Sequence, residues 1–338
     1  MKLKTFRLCT LFFFILSCIP FLNSCEKSDD EELIGNWIRL SDFDGLARGD
    51  AIGFSIDNKA YIGTGYDGEE RLTDFWEYDA AKNSWTQKAD FPGIARNGAV
   101  GFGTDTKGYV GTGFDGKNKL NDFWEYDPSS NSWTRKSDFA GSARYAAVGM
   151  AINNIGYIGT GFDGNYTKDF WAYNPVTDAW TQKTSIGGSK RKDATCFKIN
   201  GKGYIVTGID NGSYETDLWE YDPLTDIWTK KRPISNISDE DYDNDYSSII
   251  GIYKVGFSIG GKGYLATGGQ STGSDVWEYN PSTDLWIKRT SFEGSIRADA
   301  VGFTIGNLGY VTTGKSSSYY FDDLWSFDPS ATYNEDDK

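Results

Sequence analysis

The chain of 338 residues contains no histidine. That removes the side chain best suited to proton transfer near neutrality and the commonest transition-metal ligand, and it makes a Ser-His-Asp or Cys-His arrangement impossible. Cysteine is almost as scarce. Cys9, Cys18 and Cys25 all lie near the N-terminus, so Cys196 stands alone in the body of the chain and no disulfide can form there. No long segment shows helical periodicity, and the apolar run over residues 8–21 is too short for a comfortable membrane span. Positive charge is in deficit, with 34 Lys and Arg against 48 Asp and Glu. Such a surface repels nucleic acid and favours a soluble, monomeric particle.

Lys2, Lys4 and Arg7 precede the apolar run, and Leu22-Asn23-Ser24-Cys25 follows it. This resembles the lipobox of bacterial lipoproteins. The resemblance implies that residues 1–24 are a signal peptide and that Cys25 is lipidated as the first mature residue. Residues 26–32 resemble the acidic export tag of Bacteroidota-type surface lipoproteins, within an acidic tether over 25–34. The expectation is an outer-membrane lipoprotein exposed at the cell surface. Acyl chains at about 0.8 kcal/mol per buried methylene would hold it there without a spanning helix. The mature chain then keeps 31 basic against 48 acidic residues, a net charge of −17.

What the chain has in abundance is aromatic residues, 54 of them, and 40 glycines, a pairing that belongs to short strands and tight turns. Trp76, Trp124, Trp171, Trp219, Trp277 and Trp325 recur at spacings of 48, 47, 48, 58 and 48 residues. Trp37, Trp85, Trp133, Trp180, Trp228 and Trp286 form a second series nine residues behind, and the two series use every tryptophan. A period near 48 indicates stacked supersecondary units.

Each unit reads as four strands. In the first they cover residues 51–56, 60–64, 74–78 and 84–88, separated by turn residues at 57–58, 67–68 and 80–83. Six such units predict an all-β, six-bladed β-propeller of four-stranded antiparallel blades over residues 35–330, followed by an acidic tail over 331–338. The first strand of each unit is built from small residues (Ala51/Gly53, Ala99/Gly101, Ala147/Gly149, Ala194/Cys196, Gly256, Ala300/Gly302), as crowding around a common axis requires. Cys196 therefore reads as a small filler. Residues 35–43 align with 83–91, a fourth strand with no unit ahead of it, while the sixth unit ends at Asp328-Pro329-Ser330. The N-terminal strand should complete the last blade and leave no open edge.

Arg48 followed thirteen residues later by Tyr61, then Gly63-Thr64-Gly65, Trp76-Glu77-Tyr78-Asp79 and Trp85 resembles a kelch repeat. The usual glycine pair after the second strand is Thr-Gly in five units, and Gly268-Gly269 reads as keeping the doublet. Among kelch-like propellers the galactose oxidases hold copper between tyrosines and histidines. Without histidine that activity is excluded, and the resemblance concerns fold rather than reaction.

Carboxylates that recur in every unit, such as Asp74, Asp122, Asp169, Asp217, Asp275 and Asp323, read as turn supports. Arg48, Arg96, Arg144, Arg191 and Arg297 admit two readings. In kelch-type binding domains the corresponding arginines can grip acidic ligands, which would put a ring of guanidinium groups at the channel mouth. Alternatively each pairs with a loop aspartate such as Asp67, Asp115, Asp163 or Asp210.

The fifth unit departs twice, with Gly251 at the arginine position and 12 extra residues before it, since Trp228 to Gly256 spans 28 residues against 16 elsewhere. Asp239, Asp241, Asp243 and Asp245 alternate in this insertion. They resemble a calcium loop, but Asn244 stands where such a loop needs glycine and no glutamate follows at the twelfth position. The sharper expectation is an acidic lid over the mouth. Because the tryptophans belong to the repeat, a ligand should be sought among irregular residues: Tyr145, Tyr166, Tyr214, Tyr253, Tyr319 and Tyr320, with Lys190, Lys192 and Lys315.

The main expectation is a surface-tethered, non-catalytic propeller that binds a glycan or a protein partner through its loop face, without a cofactor. The alternative is an enzyme resembling the bacterial sialic acid mutarotases, also kelch propellers, acting by acid–base chemistry on a sugar. Asp50, Asp193 and Asp299, each two residues after its arginine, are the carboxylates it would use. A third reading is a scaffold in an outer-membrane complex.

Overall fold

The computed structural model describes residues 34–235, 241–269, 273–317 and 319–336. The proposed signal peptide, Cys25, most of the acidic tether and Asp239 lie outside the described residues. Six four-stranded antiparallel sheets follow one another along the chain. In the first blade the strands are Ile52–Ile56, Lys59–Gly63, Phe75–Asp79 and Ser84–Gln87, each within a residue or so of its expected span. The innermost strands (Ile52–Ile56, Val100–Gly103, Val148–Ile152, Thr195–Ile199, Lys254–Ile259 and Val301–Ile305) each lie against those of both neighbouring blades. The sixth lies against the first, so the ring is closed.

Steric crowding at the axis explains the small residues there. A Cβ added to Gly53 would stand 2.0 Å from Val301 Cγ1 of the neighbouring blade. Cys196 fits at its position because it faces Gly149, whose carbonyl accepts its Sγ–H at 3.4 Å. Burial pushes that thiol up to about 12, so it is inert as a nucleophile at neutral pH.

Between blades the wedge is filled by aromatic rings. Phe75 takes Tyr126 and Trp133 of the next blade edge-on, at 4.8 and 4.9 Å between centroids. Phe123 with Tyr173 and Trp180, and Phe170 with Tyr221 and Trp228, repeat the arrangement. Such pairs contribute about 0.5–1.5 kcal/mol each beyond the area they bury. In the second, third and fourth blades the second tryptophan series also latches the blade to the one before it. Trp133 Nε1 donates to the Ala89 carbonyl at 2.9 Å, Trp180 to Ser137 at 3.1 Å and Trp228 to Thr184 at 2.9 Å.

The N-terminal strand Ile34–Arg39 pairs antiparallel with Leu324–Thr332, the third strand of the last blade, with Trp37 opposite Phe327. Trp37 is fully buried, packs on Phe292 and Phe327, and donates to the Thr290 carbonyl at 3.3 Å. The strand Leu324–Thr332 runs two residues past the expected end of the propeller, because Ile34 pairs with Thr332. The threonine of the Thr-Gly step also differs from expectation. Thr64, Thr112, Thr160, Thr207, Thr267 and Thr313 all take positive φ between 56° and 60°. Thr267-Gly268 is therefore the fifth copy of Thr-Gly, and Gly268-Gly269 is not a retained doublet. A β-branched residue in this region is strained, which accounts for the glycine usual there in kelch repeats.

Closure through a buried tryptophan makes Trp37→Ala costly. Urea unfolding should show a loss of about 3–5 kcal/mol. A variant lacking residues 34–39 should self-associate on size exclusion through its exposed sheet edge. An unchanged unfolding midpoint together with a monomeric truncated protein would contradict this account of closure.

Candidate functional site

The repeated arginines do not line the channel. Arg48, Arg96, Arg144, Arg191 and Arg297 are 0–1% exposed, each gripping the aspartate that precedes the third strand of its own blade. Arg48 Nη1 and Nη2 donate to Asp74 Oδ1 and Oδ2, both at 2.6 Å, while Nη1 also donates to the Thr64 carbonyl and Nε to that of Leu46. Asp122, Asp169, Asp217 and Asp323 repeat the fork with Arg96, Arg144, Arg191 and Arg297. The expected partners Asp67, Asp115 and Asp163 instead accept backbone N–H groups of their own loops. Burial alone would raise the Asp74, Asp122, Asp169 and Asp323 carboxyls. The guanidinium hydrogen bonds and charge outweigh it and hold them below the usual range. The first tryptophan series completes this cluster, with Trp76 Nε1 donating to Asp74 Oδ2 at 2.7 Å.

The residue two places after each arginine forms the mouth of the central channel. Asp50, Gly98, Ala146, Asp193, Tyr253 and Asp299 occupy this position and all have φ between 52° and 62°. Backbone bonds knit five of them into a belt, with Asp50 N donating to Asp299 O, Gly98 N to Asp50 O, Ala146 N to Gly98 O and Asp193 N to Ala146 O. Together they line a cavity of about 140 Å³, which the alanines and glycines of the innermost strands continue down the axis.

Three carboxylates converge on this mouth. Asp193 pairs with Lys192 and Asp299 with Lys315, each at 2.9 Å. Asp50 Oδ2 accepts only a long bond, 3.3 Å from Asn97 Nδ2, and Asn97 in turn accepts from Arg71 Nε at 2.7 Å. Burial, reinforced by the Asp50 charge and opposed by Lys315, pushes the Asp299 carboxyl up to about 7. Burial also raises Asp193, against the pull of Lys192. Partial burial and the charges of the three aspartates raise the Tyr253 hydroxyl as well, so it stays a neutral donor on a ring open to solvent. A carboxyl raised toward neutrality has the protonation behaviour of a general acid or base, which no histidine of this chain can provide.

Of the expected ligand residues, the fold brings Lys192, Lys315, Tyr145 and Tyr253 together around the mouth. Lys192 Nζ sits 5.8 Å from the centre of the Tyr145 ring. Lys190 is elsewhere, lining a lateral cavity with Arg144, Asp163 and Tyr166. The acidic insertion does not cover the mouth in its described part. Asp243 is buried, Asp241 and Asp245 are exposed, and none of them lines the cavity. Tyr246 anchors the segment instead, its hydroxyl donating to the Trp286 carbonyl at 2.9 Å and accepting from the Trp286 amide at 2.8 Å. Among the described residues no three acidic or cysteine side chains group as metal ligands, so the calcium expectation finds no support at Asp241, Asp243 and Asp245.

The insertion repairs the missing arginine. Ser248 Oγ donates to Asp275 Oδ2 at 2.7 Å and accepts from Trp277 Nε1 at 3.0 Å. Lys254 Nζ donates to the carbonyls of Ser248 and Thr267, the latter being the acceptor that an arginine uses in other blades. Burial brings Lys254 down to about 8. Sequence reasoning passed over Lys254, although it replaces an alanine found at that position in the five other blades.

The fold and the mouth define a six-bladed propeller with an acidic, asymmetric channel opening. A family model for the Kelch motif matches residues 113–139, within the second blade. Among solved structures the chain is similar to that titled "Structure of YjhT", with a TM-score of 0.70 and 18% identity over 84% of this chain and 95% of that one. At that identity the likeness concerns the fold. No curated protein matches the chain at a significant level.

Two measurements test this description. Arg191→Ala should cost about 3 kcal/mol or more in urea unfolding, because it strands the buried Asp217 carboxylate. Asp299 binds its proton more tightly folded, at about 7, than at its ordinary 3.8, so its contribution to stability falls as pH rises through that window. The melting temperature of Asp299→Asn relative to the parent should therefore climb between pH 4 and 7 and then level off. A flat difference would refute the assignment.

Proposed function

We propose that the protein is a carbohydrate-processing propeller that interconverts the anomers of a reducing sugar at its channel mouth. The observation that carries this reading is the Asp299 carboxyl, buried, paired with Lys315 and titrating near pH 7 in an open cavity. A buried carboxyl with this protonation behaviour in an open cavity is the kind of group acid–base catalysis uses. In the proposed reaction one carboxylate takes the proton of the anomeric hydroxyl while a protonated group gives one to the ring oxygen. The C1–O5 bond breaks to the open-chain aldehyde, rotation exposes its other face, and the reverse transfers reclose the ring. Asp299 and Asp193 are the acid–base pair, and Tyr253 is a neutral donor to the sugar. This favours the mutarotase-like alternative over glycan binding without chemistry. The lipobox-like Leu22–Cys25 segment supports placing the protein at the outer-membrane surface as a lipid-anchored monomer, where free sugars from glycan breakdown would reach it.

Magnetisation-transfer NMR on reducing sugars tests the reading. The protein should speed anomer exchange over buffer, with a bell-shaped pH dependence that falls once Asp299 loses its proton above about pH 7. Asp299→Asn should lower the acceleration about 100-fold or more. Exchange at the spontaneous rate at every pH, for neutral, amino and acidic sugars alike, would sink the proposal.

A further inference from the structure

An anionic sugar needs a cation with a free face, and among the described residues the cations around the mouth are already engaged, Arg71 with Asn97 and the rings of Tyr66 and Phe114. All five repeated guanidinium groups are buried in forks with aspartates of their own blades. Lys192 and Lys315 are each held against a mouth carboxylate at 2.9 Å. The Lys254 ammonium turns into the fifth blade, onto the Ser248 and Thr267 carbonyls. Three carboxylates therefore face the cavity with two ammonium groups to balance them. Asp50 is the carboxylate left over: it lines the cavity, takes only the long bond from Asn97, and stands in no ion pair among the described residues. Gly98 and Ala146 put no polar side chain on the second and third blades, so the mouth is acidic on one side and open on the other. Against the open side stands Tyr145, whose ring already has the Lys192 ammonium 5.8 Å from its centre.

We infer that the mouth selects sugars without negative charge, with Asp50 favouring those that carry a protonated amine, and that it rejects sugar acids. This rests on the anomer-exchange reading for where the sugar sits, and it parts from the acidic sugars that a ring of open arginines would have gripped. Burial lowers the local dielectric, so the carboxylate facing the cavity discriminates more strongly there than on an open surface. Added salt should weaken that discrimination only in part.

The test compares a hexose, its 2-amino derivative and the corresponding hexuronic acid at about pH 7.5, above the Asp299 value of about 7, where much of the amine is still protonated. Binding is read by saturation-transfer difference and exchange by magnetisation transfer on the same samples. The amino sugar should bind most tightly, at least about tenfold better than the uronic acid at low salt, with the neutral hexose between them. Asp50→Asn should erase the advantage of the amino sugar over the neutral one, and Asp50→Lys should invert the order, with circular dichroism confirming the fold of both. Uronic acid bound or exchanged as well as the others would overturn the inference while leaving the anomer-exchange reading intact. Binding in the expected charge order without accelerated exchange would overturn that reading and uphold the selectivity of the mouth. No binding of any of the three would overturn both.

Discussion

The buried fork between an arginine and the aspartate ahead of the third strand is the interaction on which the rest of this propeller depends. It ties the loop leading into each innermost strand to the far side of the same blade, and it also holds the carbonyl of the threonine that ends the second strand. With the arginine fixed, the residue two places on is delivered to the axis at positive φ, where neighbouring blades join it into a belt. The guanidinium groups thus position the mouth without reaching it. Such a pair is costly to break and contributes modestly when intact, since desolvation offsets much of its attraction. Its value here lies in geometry: five loops are set to one height, and the mouth residue can vary freely between Asp, Gly and Ala.

The fifth blade shows the same constraint met by other means. Gly251 removes the arginine, and the loop that lengthens ahead of it supplies Ser248 to the orphaned Asp275, while Lys254 reaches from the innermost strand to the vacated carbonyl. Tyr246 pins the segment to Trp286, so the insertion is part of the blade's support. The exchange leaves Tyr253 at the mouth, the one ring beside five small or acidic residues, and it breaks the near-symmetry of the scaffold there.

Much of this was legible in the sequence. The two tryptophan series gave blade number and strand spans, and Trp37 without a partner ahead of it announced the closure through the last blade. Cys196 was readable as a filler from the glycines at the same place in other units. Of the two readings of the arginines, internal pairing holds, with Asp74 and its repeats in place of the loop aspartates. The open ring of guanidinium groups and the acidic lid were assigned by residue type and spacing, and neither tells whether a side chain points to the axis or into its own blade. The Asp50, Asp193 and Asp299 candidates were visible as breaks in the repeat, but nothing in their spacing separated them from surface aspartates.

Periodicity alone was enough to settle the architecture, because a strand's place in a propeller follows from its position within the repeat and from side-chain size near the axis. The arrangement of the mouth was decided only by the folded ring. Residues about 50 to 250 positions apart meet at the mouth, and their burial and mutual repulsion raise the Asp299 carboxyl while the arginines that an open ring would have placed in the channel are held within the blades. Charge state depends on distance and dielectric, which are properties of three-dimensional neighbours and have no counterpart in the order of residues along the chain.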